Sequence, residues 1–365
     1  MIRFLIMHQT VAKHDAIGND IEKMFEILNM KYECKVYAEN QFNDKVVYLN
    51  QDEINRWLTD TEVVVIYHHS VYWQHGEELL EQCIGKIIFR YHNITPPEFF
   101  EPYNEHHYHQ CLYGREQTIR LAKKYNTAYW LSASKYNALD IDRIVPEKRI
   151  AICAPFHKIE EWAQKTPDEE ILKTLLFSQT VNLLFVGRIA PNKGHLMLIE
   201  LLQHYCVNFD TKIKLRVIGK FDEGLSGYNE KLLQLVESYG LENHVEFIGE
   251  INDATLMSYY LGSDIFLCAS EHEGFCVPII EAQFFQLPII ALSSTAIPET
   301  IGDNQIILLD NAQNFAAAIK VIMDKQQYRA YLREQGVNNF NARFAFEKIE
   351  KNFKSIIESW CGVSL

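Results

Sequence analysis

The chain has 365 residues, 48% of them hydrophobic and 23% charged, with a net charge of −13. That composition fits a globular protein of about two domains and excludes disordered, collagenous and coiled-coil chains. The acidic balance argues against a nucleic-acid-binding surface. No apolar run approaches the length of a membrane-spanning helix, and Met1–His8 is too short and too soon polar for a secretory signal. The eight cysteines form no C-x-x-C pair, and several sit inside apolar runs, so a reducing, cytoplasmic setting is expected.

In chain order, Phe4–His8 reads as a short strand, followed by a polar loop and a helical pattern over Asn19–Asn29. Val63–His68, Lys86–Tyr91, Ala128–Ser132 and Ile150–Ala154 are further strand candidates, with amphipathic stretches such as Arg115–Lys124 between them. The second half repeats the scheme. Val181–Val186, Ile213–Gly219, Val245–Gly249, Ile265–Ala269, Pro288–Leu292 and Ile306–Leu309 read as strands, and helical patterns such as His195–Tyr205 and Asn229–Tyr239 separate them. Short apolar strands alternating with helices imply parallel sheets covered on both faces. Two such series imply two doubly wound α/β domains, with the boundary in the charged segment His157–Asp168.

Ligands of open α/β sheets bind beyond the carboxyl ends of the strands, so the residues there carry the candidate chemistry. After Val181–Val186 come Gly187, Arg188 and, past Pro191-Asn192, Lys193. Two cations at a strand-to-helix turn can converge on a diphosphate, or can be ordinary surface charges. No G-x-x-x-x-G-K-[ST] or G-x-G-x-x-G occurs. After Ile265–Ala269 comes Glu273-Gly-Phe-Cys-Val-Pro-Ile-Ile-Glu281. Pro278 marks a helix start, which places the amides of Phe275, Cys276 and Val277 around an anion-binding helix N-terminus. Glu273, on the loop before the helix, and Glu281, on its first turn, suit the gripping of sugar hydroxyls; Glu281 alone could merely complement the helix dipole.

The Glu273-to-Glu281 run resembles the E-x7-E signature of the retaining glycosyltransferases of family 4, a GT-B-fold group. Gly187-Arg188 with Lys193-Gly194 is similar to that family's G-R-x-x-x-x-K-G motif, and Pro298-Glu299 with Asp303 to its P-E-x-x-x-D segment. Cys276 stands where the family usually has a second Gly, and Gln286-Leu287-Pro288-Ile289 replaces its G-x-P-V strand start. The resemblance is strong from Val181 to about Asp310. It implies a GT-B fold, two Rossmann-like doubly wound domains facing across a cleft. Residues 1–160, with a returning helix within about 341–365, would bind the acceptor, and 161–340 the nucleotide sugar.

Carried over residue by residue, the resemblance implies that Arg188 and Lys193 hold the donor diphosphate. Glu273 would bind the transferred sugar, with the amides of Gly274 to Val277 around it; Glu281 would grip the ribose and Ile251 lie near the base. His92, at the end of the Lys86–Tyr91 strand, is a candidate for a sugar hydroxyl contact or for a structural role, and Gly18 for close approach to the phosphate. His106–Cys111 suggests a metal cluster but lacks a partner pair downstream, and reads as a wet loop; no metal site is expected. His68-His69 either line the acceptor side or are ordinary loop residues.

With no D-x-D motif, the fixed cations and the helix N-terminus would stabilise the leaving diphosphate. The implied activity is therefore a retaining, metal-independent hexosyl transfer without a cofactor. A UDP-sugar is favoured over GDP-mannose as donor, with a saccharide or lipid-linked saccharide as acceptor. A non-catalytic nucleotide-sugar-binding module, or an epimerase or phosphorylase, is the alternative. Arg120, Lys123 and Lys124 share a predicted helix face that is either merely solvated or a contact for an anionic acceptor at the membrane surface.

Overall fold

The computed structural model describes residues 2–13, 15–162 and 164–365; His14, in the opening loop considered above, lies outside them. The chain divides into two compact units. One comprises Met1–Pro97, His109–Lys158 and Ala345–Leu365; the other comprises Glu98–Tyr108 and Ile159–Phe344.

The strands of the first unit are β1 (Arg3–Met7), β2 (Thr10–Ala12), β3 (Cys34–Tyr37), β4 (Asn40–Phe42), β5 (Val63–His69), β6 (Lys86–Tyr91), β7 (Tyr129–Ser132) and β8 (Ile150–Ile152). Among the described residues, six form a parallel sheet in the order β3-β1-β5-β6-β7-β8, and β2 pairs with β4 beside it. Every residue of β5 is buried, as a central strand covered on both faces must be. His68 and His69 are therefore strand residues inside the unit, not loop residues after it. β3 has no counterpart in the sequence reading because Lys35 interrupts a run of only four residues.

The last helix, Phe346–Cys361, explains why the end of the chain belongs with its beginning. Ile349, Phe353, Ile357 and Cys361 recur every four residues, and all four are buried in the core that holds Phe4, Ile6, Met24 and Leu28.

The second unit contains β9 (Val181–Val186), β10 (Ile213–Ile218), β11 (Val245–Gly249), β12 (Ile265–Cys268), β13 (Ile289–Leu292) and β14 (Ile306–Leu308). They form a parallel sheet in the order β11-β10-β9-β12-β13-β14. In local numbering that is 3-2-1-4-5-6, the dinucleotide-binding order. The expected two doubly wound α/β domains are thus found. Expected strand ends shift by at most two residues.

The stretch read as a wet loop, His106–Cys111, is instead the start of a long helix, Glu105–Lys124. Its His, Tyr and Gln residues carry little apolar periodicity, which hid the helix from pattern reading. Its first turn belongs to the second unit and the rest to the first.

Candidate functional site

A 3-2-1-4-5-6 sheet reverses its winding between its first and fourth strands, here β9 and β12, and the loops beyond them diverge to open a crevice. The loop after β9 carries Gly187 and Arg188 and ends in a tight turn, Pro191–Lys193. Gly194 follows with φ +70°, and a Cβ there would lie 1.9 Å from the carbonyl oxygen of Ala269. Only glycine permits that approach, which sets the turn against the end of β12. Asn192 fastens the two loops: its side-chain amide donates to the His272 carbonyl (3.2 Å), and its own carbonyl accepts from the Glu271 amide (2.9 Å).

The consequence is a direct pair. Lys193 Nζ donates to Glu273 Oε1 at 2.6 Å, with the two side chains 22% and 12% exposed. Burial works to lower the Lys193 pKa, but the Glu273 carboxylate outweighs it and holds the ammonium above the ordinary lysine value. Lys193 is thus a fixed cation at neutral pH. The Glu273 amide donates to Thr295 Oγ1 (2.9 Å), and Thr295 itself has φ +47°.

Gly274, Phe275 and Cys276 lead into the helix Val277–Phe284, with Pro278 in its first turn. Cys276 adopts φ +74°, a conformation that costs a residue other than glycine about 1 kcal/mol. Its Sγ lies 3.8 Å from Cys268 Sγ. Glu281 begins the second turn, not the first as expected, so it does not sit at the dipole's positive end. It is 8% exposed, and its carboxylate accepts a 2.5 Å hydrogen bond from Tyr260 Oη. Burial raises its pKa to about 7, with the Tyr260 bond opposing. Ile251 follows β11, packed against the unit's core just before Asn252 caps the next helix.

Arg188 departs from expectation. It is 53% exposed and its Nη1 lies 3.5 Å from Asp222 Oδ2. The two cations are drawn to different carboxylates, Asp222 and Glu273, rather than to one point. His107 Nε2 also reaches Asp222 Oδ2, at 3.2 Å, so the first turn of the long helix joins the group around Arg188.

In the first unit, His92 directly follows β6, and Asn93 turns the chain with φ +74°, a conformation asparagine tolerates. His92 Nε2 and His68 Nδ1 are hydrogen-bonded at 2.9 Å. Asp20 Oδ2 lies 3.8 Å from the former and 4.0 Å from the latter. The ligand atoms of Asp20, His68 and His92 fall within 4.8 Å of one another, a spacing that a metal ion could use. The buried Arg90 already occupies Asp20, however, through Nε (2.7 Å) and Nη2 (3.4 Å), and a dication would be set against that guanidinium.

Gly18 has a packing role that the sequence reading did not foresee. It lies in the helix Ala16–Asn29, its amide donates to the Asp15 cap, and an added Cβ would stand 1.9 Å from the Ala12 carbonyl oxygen. The close approach it permits is that of helix to strand.

Residues 168–339 match the family model described as glycosyl transferases group 1. That stretch, a little under half of the chain, is similar to the glycosyl transferases group 1 family. It contains β9 to β14 and all the candidate residues of the second unit. Among curated relatives, the O-antigen chain mannosyltransferase B of Escherichia coli is 25% identical over 65% of this chain and 61% of its own. The phosphatidyl-myo-inositol mannosyltransferase of Mycolicibacterium smegmatis is 28% identical over 40% of this chain and 37% of its own. The chain thus spans roughly two-fifths to three-fifths of these relatives' length. Among solved structures, Anabaena HepE in complex with UDP and glucose matches with a TM-score of 0.78 at 17% identity, covering 98% of this chain and 100% of that one. Sucrose-phosphate synthase from Thermosynechococcus elongatus matches equally well, at 0.78 and 15% identity over 100% of both chains. These likenesses establish the fold, GT-B.

Several residues around the second unit's loops escaped the sequence reading: Asn192, Asp222, Tyr260 and Thr295. Asn192 and Asp222 sit in loops flanking the strand ends, and only topology brings Asn192 to His272 and Asp222 to Arg188. Tyr260 reads as one more aromatic on an apolar helix. The basic face on the long helix also changes character. Arg120 forms a two-pronged pair with Glu77 (2.8 and 2.9 Å) and Lys124 binds Glu81 (2.5 Å), so carboxylates share that face with Lys123. No helix among the described residues is long and apolar enough to cross a membrane.

Proposed function

We propose that this chain is a glycosyltransferase that moves a hexose from a nucleoside diphosphate donor to a saccharide or lipid-linked saccharide acceptor, in glycan or polysaccharide biosynthesis. The observation that carries the proposal is the Lys193–Glu273 pair at the switch point of a 3-2-1-4-5-6 sheet. A diphosphate entering the crevice gives the partly exposed Lys193 ammonium an anionic partner in place of Glu273. Glu273 is then free to accept hydrogen bonds from the sugar's hydroxyls. Arg188, half exposed, closes on the phosphates from Asp222, and Glu281 accepts from the ribose.

When the sugar leaves, negative charge grows on the diphosphate. Once the donor is bound, Lys193, Arg188 and the helix N-terminus already face that charge, the arrangement expected to contribute most to the rate. The same positive field supports a metal-independent reaction. Transfer with retention is proposed on the resemblance of the Glu273-to-Glu281 run to family 4. A UDP-sugar is the favoured donor because HepE, the fold neighbour above, was solved with UDP; the mannosyltransferase names among the relatives keep GDP-mannose as the second choice.

Calorimetric titration with UDP and GDP, together with release of nucleoside diphosphate from the sugar donors, tests the proposal. Binding of one nucleotide at micromolar affinity is expected, and turnover unaffected by EDTA. Lys193→Ala should lower kcat/KM by roughly 10²–10³-fold if Lys193 stabilises the leaving group. Failure of both nucleotides to bind, or a Lys193→Ala variant within a few-fold of wild type, would reject the assignment. The anomeric coupling constant of the product, read by proton NMR, decides retention.

A further inference from the structure

We infer that His68 is a positioning residue for His92: it donates its Nδ1 proton to His92 Nε2 and so fixes His92 as the Nδ1–H tautomer, a hydrogen-bond donor rather than a base. The pair sits at the carboxyl ends of the neighbouring strands β5 and β6. His68 is 1% exposed, and the His92 side chain retains 10% exposure. The two rings lie nearly parallel, 5.1 Å apart and inclined by 26°, so the 2.9 Å contact joins Nδ1 of one to Nε2 of the other.

One proton lies between those nitrogens, since two lone pairs or two protons facing each other at that distance would repel. A doubly protonated ring is disfavoured. Burial is the first cause holding both imidazoles well below their ordinary pKa, and the neighbouring histidines and the Arg90 guanidinium add to it.

Which ring owns the proton follows from the far side of His68. Its Nε2 is buried and has no hydrogen-bond partner among the described residues. If His92 were the donor, the His68 proton would have to sit on that Nε2, as an orphaned N–H in the core, a rarer arrangement than an orphaned acceptor. If His68 is the donor, the orphan is only a lone pair. Asp20 fits either direction, lying close to both nitrogens without bonding to either, and is itself held by Arg90 and by the Phe156 amide at 2.8 Å. With its Nε2 engaged, His92 presents Nδ1–H as its remaining polar atom. It can donate to a sugar hydroxyl or phosphoryl oxygen but cannot take a proton there.

The tautomer stands on the geometry alone; its use in transfer rests on the function proposed above, and the test separates the two. In the full chain labelled with ¹⁵N-histidine at pH 7.5, long-range ¹H–¹⁵N spectra should show His92 with a protonated Nδ1 and a pyridine-like Nε2, its signals assigned by their loss in His92→Gln. A protonated Nε2, or an imidazolium, would overturn the inference whether or not the protein binds nucleotides. His68→Asn keeps a donor near the Nδ1 position and should preserve the His92 tautomer. His68→Leu removes the donor and should let His92 populate both tautomers. If transfer uses the Nδ1–H donor, His68→Leu lowers kcat by about 10–100-fold with the donor KM within about twofold, and His68→Asn restores most of it. Equal loss in both variants would reject the positioning role.

Discussion

Glu281 shows how far one side chain's setting can differ from what its place in a motif suggests. A carboxylate eight positions after Glu273 reads as a surface grip on a ribose, yet it is nearly sealed and bonded to Tyr260. Its folded pKa of about 7 exceeds the 4.5 of an unperturbed carboxylate. Between those values the folded chain keeps a proton that the unfolded chain releases. Stability contributed by this group is therefore fully present below pH 4.5 and is lost as pH rises towards 7, by roughly 3 kcal/mol in all. The difference between wild type and Glu281→Gln in chemical unfolding, followed from pH 5 to pH 8, should reveal that slope; parallel curves would show that Glu281 titrates normally. Ribose hydroxyls donate better to the ionised form. Nucleotide affinity should accordingly rise across pH 7 in wild type and stay flat in Glu281→Gln.

The scale of elements is where the sequence was most and least informative. Strands that are short, apolar and bounded by polar residues, such as Lys86–Tyr91 and Val181–Val186, were legible to the residue, because a buried parallel strand has to look that way. The helix Glu105–Lys124 was half legible, since its first turns are stabilised by contacts that no local pattern announces, such as Asn104 to Gly224 and His107 to Asp222. Of the candidate site, the loops were placed correctly, but the partner of each charge was not: Lys193 meets Glu273 only because Gly194 and Asn192 bring two loops together. That claim is testable at Gly194. An Ala there suffers both a left-handed φ of +70° and a Cβ driven onto the Ala269 carbonyl. Gly240 has a similar φ of +64° with nothing within 4 Å of a Cβ. Gly240→Ala should cost about 1 kcal/mol. Gly194→Ala should cost roughly 2–4 kcal/mol and weaken nucleotide binding at least tenfold. Similar losses in the two variants, measured by urea unfolding, would show that the loops do not depend on the close approach.

At the scale of the molecule, each unit has its own sheet and its own apolar core, but the chain does not assign them as two consecutive pieces. Glu98–Tyr108 is lent to the second unit, and Ala345–Leu365 returns to the first. The returning helix does more than cover a surface. Phe353 is 0% exposed and its ring meets Phe156 edge-on at 5.5 Å, within the core built on β1 and β5. Phe353→Ala removes a large buried ring from a site enclosed by Phe156, Ile349 and Ile357, which limits how far the gap can close. The expected cost is about 3–5 kcal/mol. Because the core concerned belongs to the first unit alone, the loss should be local. Hydrogen exchange should accelerate in β1, β5 and β6 of the variant while β9, β10 and β12 keep their protection, and nucleotide affinity should stay within about twofold of wild type. Exchange that rises equally in both sheets would show instead that the two cores unfold as one, and that the final helix supports the second unit as much as the unit it packs into.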